Sequence, residues 1–381
     1  MDLKERAEDG FASVEAELGE ISRWMYEHPE IALEEHASSA RLAGFLAEHG
    51  FAVEYPAYGM PTAFAARAGS AGPEVVICAE YDALPEVGHA CGHNIIATAA
   101  LGAGAALAPL ADELGIRVTV LGTPAEEAIG GKVDLIRAGA FAGAAAAMMV
   151  HPSPDDVLDP PMLGVVHLEV DFHGKASHAS FAPQVGINAL DAAVQAYVNV
   201  STLRQALYPT DKVHGIITYG GGAPNVIPAH TAMAWYVRAA EPERLAELTE
   251  RVLACFAAAA LATGCTWEHR NLGHPYDPMR SDPVMTEAFD ANIRALGRAP
   301  VRGSSRPPGA SGSTDMGNVS RVVPSIHPML AIECGDAVNH QKEFAAATIT
   351  PSGRRATRDG ALAMAWTVID LAADGRWGEL G

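Results

Sequence analysis

Apolar stretches alternate with Ala-rich stretches through the first part of the chain, and each apolar stretch ends in turn residues. The apolar stretches are EVVICAEYDALP, IRVTVLGTPAEE and AAAAMMVHPSP. Strands that alternate with helices predict an α/β fold with a mostly parallel sheet covered on both faces. In such folds the chemistry collects at the carboxyl ends of the strands. Those ends carry Asp82, the pair Glu126 and Glu127, and His151, so we expect a polar crevice at this edge of the sheet.

From about residue 165 the pattern changes to shorter strands and two helices. GVVHLEVDFHG indicates a strand, INALDAAVQAYVNVSTLRQAL a helix, KVHGIITYGG and TAMAWYVRA two strands, EPERLAELTERVLACFAAAALATG a helix, and CTWEHRNL a strand. This β-α-β-β-α-β order predicts a ferredoxin-like unit, in which two helices cover one face of a small antiparallel sheet. We therefore expect an inserted satellite domain at 165–278, which interrupts a catalytic domain made of 1–164 and 279–381.

After the insertion the chain returns to helices and a strand. HPYDPMRSDPVMTEAFDANIRALG indicates a helix, SIHPMLAIECG one strand, and NHQKEF precedes a final helix. Between them, residues 302–313 form a loop rich in Gly, Ser and Pro, which is short enough to be a functional loop.

The composition narrows the class of partner. A chain of 381 residues with 49% hydrophobic content can bury two cores. Its 46 Asp and Glu against 26 Lys and Arg give a net charge of −20, which disfavours nucleic acid and anionic membranes as partners. The longest apolar stretch, at 95–110, is mostly Ala and Gly, and we interpret it as a buried helix rather than a membrane span. We expect the partner to be a small molecule or another protein.

The cysteines and the N-terminal segment favour a cytoplasmic protein. The five cysteines are spread over the chain without a C-x-x-C spacing, which suits a reducing compartment better than a disulfide scaffold. The first residues are charged and helically patterned, and they lack the apolar core and the cleavage site of a signal peptide.

The segment GHACGHN places Cys91 and His93 two positions apart, where an extended or looped backbone can turn both toward one point. Thiolate and imidazole both suit a metal such as zinc. Taken alone, such a spacing more often indicates a buried cysteine beside a histidine that opens a helix. Other candidate ligands are therefore needed to support a metal site.

Such candidates follow the later strands. Glu126 and Glu127 come after an apolar strand and before glycines, so one carboxylate can bind a metal while the other faces a water. Their alternative is a solvated helix start. His151 follows AAAAMMV and His340 lies in NHQKEF. Each of these histidines could instead be a structural residue at the end of a strand or in a loop.

The ordered set of motifs resembles one family, the di-metal aminoacylase, carboxypeptidase and carnosinase superfamily. The resemblance is to its amidohydrolase branch, which includes auxin-conjugate hydrolases and aminobenzoyl-glutamate hydrolases. It rests on YEHPEIALEE, AEYDALPEVGHACGHN, GTPAEEAIGGKVDLI, VHPSP, HGKASHAS, NVIPAH, GSTDMGNVSRVVPSI and NHQKEF, which span nearly the whole chain.

The resemblance implies a centre of two divalent metal ions in each copy of the chain. Its ligands fall on Cys91, His93, Glu127, His151 and His340. Zinc is the metal that a Cys, His and carboxylate set prefers, and manganese or cobalt also suits it.

The resemblance also assigns residues to catalysis and to the substrate. Glu126 takes the place of the general base, and Asp82 supports the metal site from the end of its strand. His178 matches a histidine that reaches across a dimer to the substrate carbonyl. Asn225 and Arg238 match a pair that holds the substrate carboxylate; without the resemblance, Arg238 could equally be a surface residue paired with Glu241 or Glu243.

We therefore expect a homodimeric metallo-amidohydrolase that cleaves an N-acyl or aminoacyl amino acid or a small dipeptide-like conjugate. Its substrate would be a small amide that carries a carboxylate. A catalytically silent dimeric protein that binds a ligand in the same groove is one alternative. A hydrolase that uses the same centre on an unusual C–N bond, such as an aryl amine or amidine, is the other.

Overall fold

The chain forms two compact units in the structure, a computed structural model that describes residues 2–305 and 312–381. The first unit takes in the chain up to Pro160, a stretch that begins at Met279, and the stretch Asp315–Gly381. The second runs from Pro161 to Pro278 and takes in the residues that end at Thr314. The Gly/Ser/Pro-rich loop expected at 302–313 thus lies in part outside the described residues.

The α-helices of the described chain differ in length from one turn to more than six turns. In chain order they are α1 (Leu3–Glu27), α2 (His36–Glu48), α3 (His93–Leu107), α4 (Ala111–Leu114), α5 (Gly131–Arg137), α6 (Ala189–Leu203), α7 (Pro242–Thr263), α8 (Pro283–Ala295), α9 (Met316–Val319), α10 (Lys342–Thr348) and α11 (Pro351–Ala373).

The strands are mostly short. In chain order they are β1 (Ala52–Glu54), β2 (Phe64–Ala68), β3 (Glu74–Ala79), β4 (Arg117–Gly122), β5 (Ala144–Met148), β6 (His151–Ser153), β7 (Gly164–His173), β8 (Ser177–His178), β9 (Lys212–Tyr219), β10 (Val226–Ile227), β11 (His230–Ala239), β12 (Thr266–Asn271), β13 (Ser325–Ile326) and β14 (Met329–Ala331).

The main sheet of the first unit has the strand order β1-β2-β4-β3-β5-β13. The pairs β4–β3, β3–β5 and β5–β13 are parallel, while β1–β2 and β2–β4 are antiparallel. The expected largely parallel sheet is therefore confirmed, and its antiparallel edge is an addition that the apolar pattern did not indicate. A second parallel pair, β6 and β14, follows β5 and β13 directly.

Both faces of the main sheet are covered, as the continuous apolar runs of its strands indicate. On β3, Val75, Ile77 and Ala79 belong to a core that includes α1, α3 and α11. Val76 and Cys78 face the other way, into a second core. All of these side chains are fully buried.

Helix α3 is the centre of the larger core, and every one of its residues is buried. Its small residues allow close packing, since a Cβ on Gly102 would lie 2.7 Å from the Phe11 ring. The stretch His93–Leu114 is long and apolar enough to span a membrane by length and composition, but 89% of its most apolar window is buried inside the protein. This agrees with its interpretation as a core helix.

The second unit contains a four-stranded antiparallel sheet in the order β12-β7-β11-β9. Along the chain its elements follow as β7, α6, β9, β11, α7 and β12. Alternate residues of β7, from Val166 to Phe172, join α6 and α7 in a separate core. The opposite face of β7 carries His167, Glu169 and Asp171.

The strand expected at SIHPMLAIECG is divided into two. β13 pairs with β5, and β14 pairs with β6, while His327 and Pro328 lie between them. Proline has no backbone N–H to donate to a sheet, so a continuous ladder cannot pass through this point. The division places His327 at the carboxyl end of a strand, beside the expected crevice.

Candidate metal centre

Asp82 organises the crevice at the carboxyl ends of β3 and β4. Its Oδ1 accepts a hydrogen bond from His93 Nδ1 at 2.9 Å, and its Oδ2 accepts one from the backbone N–H of Glu127 at 2.9 Å. A carboxylate that holds one ring nitrogen of a histidine fixes the ring and leaves the other nitrogen for a metal. Asp82 thus aims His93 Nε2 into the crevice.

Cys91, His93 and His151 form a first group whose ligand atoms all lie within 4.8 Å of one another. Cys91 Sγ is 3.4 Å from His151 Nε2. Gly92 between the first two ligands has a φ of +84°, and a Cβ there would lie 2.3 Å from Pro152 Cγ. This position therefore requires glycine on both conformational and steric grounds.

Cys91, Glu127 and His340 form a second group with the same spacing. His340 Nε2 lies 3.6 Å from Glu127 Oε1, and the His340 backbone N–H donates to Ala90 O at 2.8 Å. His340 has a φ of +74°, an uncommon conformation for a residue with a side chain. Cys91 belongs to both groups, so its sulfur would be a candidate ligand for either of two cations held there.

Glu126 joins a different set from its neighbour Glu127. The two glutamates lie in a turn after β4, and Glu126 is grouped with Glu80 and His93. The adjacent carboxylates thus belong to different groups of candidate ligands, and Glu127 lies with Cys91 and His340. The structure thus brings together the expected catalytic and metal residues of the first unit: Asp82, Cys91, His93, Glu126, Glu127, His151 and His340.

The donor set fits a divalent cation. His93 Nε2 and Glu127 Oε1 are buried and have no hydrogen-bond partner among the described residues. Burial, followed by the negative charges of Glu80 and Glu127, raises the pKa of Glu126 well above its usual range. Burial and Glu127 likewise raise the pKa of the Cys91 thiol. A bound cation would satisfy the open atoms and stabilise the charged forms of both groups.

A buried ion-pair network that the sequence did not reveal lies beside these groups. Lys132 Nζ donates to Glu80 Oε1 at 2.5 Å and to Asp315 Oδ1 at 2.7 Å, and all three side chains are almost fully buried. Burial alone would raise the pKa of Glu80, but Lys132 and His93 outweigh it and lower that pKa to about 2. Glu80 and Asp82 lie two positions apart, and side chains two positions apart in an extended chain point to the same face. This spacing is the sequence signal that could have indicated the orientation of Glu80.

Glu35, another residue that the sequence did not single out, holds the turn that carries the two glutamates. It is fully buried, accepts a hydrogen bond from the backbone N–H of Ala125 at 2.9 Å, and accepts one from Thr62 Oγ1 at 3.0 Å. Ala125 has a φ of +62°. Burial and the charge of Asp82 raise the pKa of Glu35 to about 7.

Two further buried histidines flank the centre. Both ring nitrogens of His89 and of His327 lack a hydrogen-bond partner within the described chain. The His327 ring centroid lies 5.4 Å from that of His151. Neither residue stood out from the sequence, because His89 adjoins the GHACGHN ligands and His327 lies in an apolar stretch.

The residues expected to contact the substrate lie in the second unit. β8 and β10 pair so that His178 is opposite Val226, and the Ala179 N–H donates to Asn225 O at 3.0 Å. His178 and Asn225 are therefore neighbours, and both are exposed. Arg238 Nη1 donates to Ser313 Oγ at 2.5 Å. In the part of the chain that the structure describes, Arg238 forms no ion pair with Glu241 or Glu243, so its surface-pair alternative is not observed.

Together, the α/β unit and its cluster of Cys, His and Glu side chains are those of a metallopeptidase. The family model described as Peptidase family M20/M25/M40 matches residues 76–355, which is more than half of the chain. The chain belongs to this family, and the resemblance found in its motifs is confirmed.

The relatives carry the names of amide-bond hydrolases. The chain is 42% identical to the mouse protein "Xaa-Arg dipeptidase" over 383 residues, which cover 97% of this chain and 89% of that protein. It is 32% identical to a p-aminobenzoyl-glutamate hydrolase protein of Escherichia coli over 272 residues, which cover 66% of this chain and 56% of that protein.

The fold is also found in a solved structure of the same family. The crystal structure of the Bacillus subtilis YXEP protein, described as a dinuclear metal binding peptidase from the M20 family, matches with a TM-score of 0.67. The match covers 93% of this chain and 98% of that one at 21% identity. At this identity the likeness shows a shared fold.

Proposed function

We propose that this protein is a metal-dependent hydrolase that cleaves the amide bond of a dipeptide or of an N-acyl or aminoacyl amino acid. One observation carries the proposal: His93 Nε2 and Glu127 Oε1 are buried without a hydrogen-bond partner among the described residues. They belong to two groups of candidate ligand atoms that share Cys91. The names of the relatives agree with amide-bond hydrolysis.

Two divalent cations would be held by the two groups, one by Cys91, His93 and His151 and the other by Cys91, Glu127 and His340. Zinc is the expected ion, and manganese and cobalt are compatible with the same donors. A pair of such ions supplies an activated water at neutral pH and polarises the amide carbonyl.

Glu126 is proposed as the general base and acid. It would take a proton from the attacking water and deliver that proton to the departing nitrogen, which keeps the charge balanced over the reaction. Its burial beside the candidate ligand His93, and the pKa that burial and the neighbouring negative charges raise well above its usual range, support this proton-transfer role.

Arg238 and Asn225 are proposed to bind the substrate carboxylate, and His178 to contact the carbonyl bound by a second copy of the chain. The planar fork of a guanidinium can bind both oxygens of a carboxylate. Arg238 has no acidic partner among the described side chains and is half-buried, which supports this role.

A homodimer through the second unit is part of the proposal. β9 is an edge strand of the four-stranded sheet, and Ile216 and Tyr219 on it are 63% and 48% exposed. Val194 and Val198 of α6 are also exposed. An unpaired strand edge can pair with another chain, and exposed apolar patches often mark protein–protein contacts. We further propose a cytoplasmic location, which five free cysteines support.

The proposal is tested by a hydrolysis screen of the metal-supplemented protein. Dipeptides with C-terminal arginine come first because of the mouse relative, followed by N-acyl amino acids and aminobenzoyl-glutamate. We expect hydrolysis that a chelator abolishes and that zinc, manganese or cobalt restores. Fewer than one ion per chain, together with no cleavage of any amide, would overturn the proposal in favour of a silent binding protein.

A further inference from the structure

His327 is held in a fixed position beside the metal centre. The Met149 N–H donates to Ile326 O at 3.3 Å, and the His151 N–H donates to Pro328 O at 2.9 Å. The residues on either side of His327 are thus bonded to the backbone that carries His151. Two short parallel pairs of strands, β5 with β13 and β6 with β14, thus hold the backbone on both sides of His327.

The His327 side chain is fully buried among groups of the centre. Its ring centroid is 5.4 Å from the ring of His151, whose Nε2 is 3.4 Å from Cys91 Sγ. The charged or titratable groups that act on it include Glu80, Lys132, His93 and His151. This ring therefore packs beside the candidate ligand His151.

Neither His327 nitrogen has a hydrogen-bond partner in the described part of the protein. Leaving a buried polar group without a partner destabilises the folded state, and an apolar side chain of similar shape avoids that penalty. His327 is also absent from the groups of ligand atoms that lie within 4.8 Å of one another. Its ring nitrogens therefore have neither a hydrogen-bond partner among the described residues nor a place in a candidate group of metal ligands.

We propose that His327 is a further catalytic residue, whose ring N–H donates a hydrogen bond to the scissile carbonyl oxygen as that oxygen becomes an oxyanion. The inference rests on the proposed function, because the reacting amide must lie against the metal-binding side chains. A donor aimed at the oxygen of the transition state lowers the barrier without binding the ground state more tightly.

The first test replaces the ring by an apolar ring of similar shape, His327→Phe. Loss of one oxyanion donor predicts a fall in kcat of about 100- to 1000-fold. KM and the number of bound metal ions should stay unchanged. The melting temperature of the metal-free protein should change by only a few degrees, because the exchange removes no hydrogen bond while the slightly larger ring must be fitted into a buried site.

Two conservative variants test which nitrogen acts and guard against a packing artefact. His327→Asn places an amide N–H near the former Nδ1, and His327→Gln places one near Nε2. We expect the kcat of one of these two variants to be at least about tenfold higher than the kcat of His327→Phe. Equal kcat values in all three variants, with equal metal content, would contradict a hydrogen-bonding role.

A binding measurement separates this inference from the proposed function. A phosphinate analogue of a cleaved dipeptide carries tetrahedral oxygens, and calorimetry should show about 100-fold weaker binding to His327→Phe than to the natural chain. Full activity of His327→Phe, loss of metal from it, or a rise in KM alone would overturn the inference while the proposed function stands. A natural chain that neither hydrolyses amides nor binds the analogue would overturn both.

Discussion

The pKa values of two glutamates in the candidate metal centre are shifted in opposite directions by burial and by the charges around them. Lys132 and His93 outweigh burial and keep the pKa of Glu80 near 2, while burial and Glu80 raise the pKa of Glu126 well above its usual range. Positive neighbours thus favour the charged form of Glu80, while burial and negative neighbours favour the neutral form of Glu126 in the metal-free protein.

Glu126→Gln tests the proton-transfer role at the scale of one residue. We expect turnover to fall by about 100- to 10,000-fold, because an amide cannot accept the proton of water. Metal content should remain that of the natural chain. The matched control is Glu127→Gln, which removes a candidate ligand and should lower metal content as well as turnover. Near-normal turnover in Glu126→Gln would rule out the base assignment.

Residues with a local motif could be predicted from the sequence, and residues with distant partners could not. Cys91 and His93 share one segment with the glycine that shapes it. Lys132 instead contacts Glu80 and Asp315, which lie 52 and 183 positions away, and Glu35 reaches Ala125 over 90 positions. A charged residue with so remote a partner looks like a solvated one in the sequence.

The turn after β4 is the element that places the two central glutamates. Its residue Ala125 has a positive φ, donates its N–H to Glu35, and accepts at its carbonyl from the N–H groups of Ile129 and Gly130. These bonds hold a backbone conformation that alanine rarely adopts. The start of α2 thereby controls the direction of Glu126 and Glu127.

Glu35→Gln should change how stability depends on pH. The pKa of Glu35 is raised to about 7 in the folded protein, so its stabilising contribution is complete below its unfolded pKa, about 4.5, and is lost as pH rises through about 7. The melting temperature of the metal-free natural chain should therefore drop relative to Glu35→Gln across that interval.

Glu35→Ala provides the control for this measurement. It removes both hydrogen bonds of the side chain, so it should be less stable than Glu35→Gln at every pH. A constant difference between the natural chain and Glu35→Gln across the interval between the two pKa values would contradict the raised pKa.

At the scale of whole elements, the sequence predicts most helices and strands, but it does not predict where the hydrogen bonding of a strand is interrupted. The three parallel strands β3, β4 and β5 and the elements of the second unit follow the apolar pattern. The apolar residues around His327 form one continuous run and therefore predict one continuous strand. Pro328 has no N–H to donate, so the strand is divided there. Apolar periodicity shows which side chains are buried, but it does not show where a ladder stops.

The whole molecule is expected to act as a dimer, and Ile216 provides the test. Ile216→Asp places a charge on the exposed edge strand β9, where pairing with another chain would bury it. We expect light scattering to show a monomer, with metal content unchanged and activity reduced because His178 loses its partner site. Val322→Asp, a similarly exposed apolar position in the first unit, should remain a dimer. A dimeric and fully active Ile216→Asp would contradict this interface.

Because the first unit is discontinuous, it also determines the order in which the two units can fold and the candidate metal centre can be completed. Asn339 donates to Cys91 O across 248 positions, and the candidate ligand His340 follows it directly. During synthesis the continuous stretch Pro161–Pro278 leaves the ribosome long before that contact can form. We therefore expect the second unit to fold first and metal capture to come last, so that a chain cut short before residue 340 would carry a folded second unit and an incomplete metal centre.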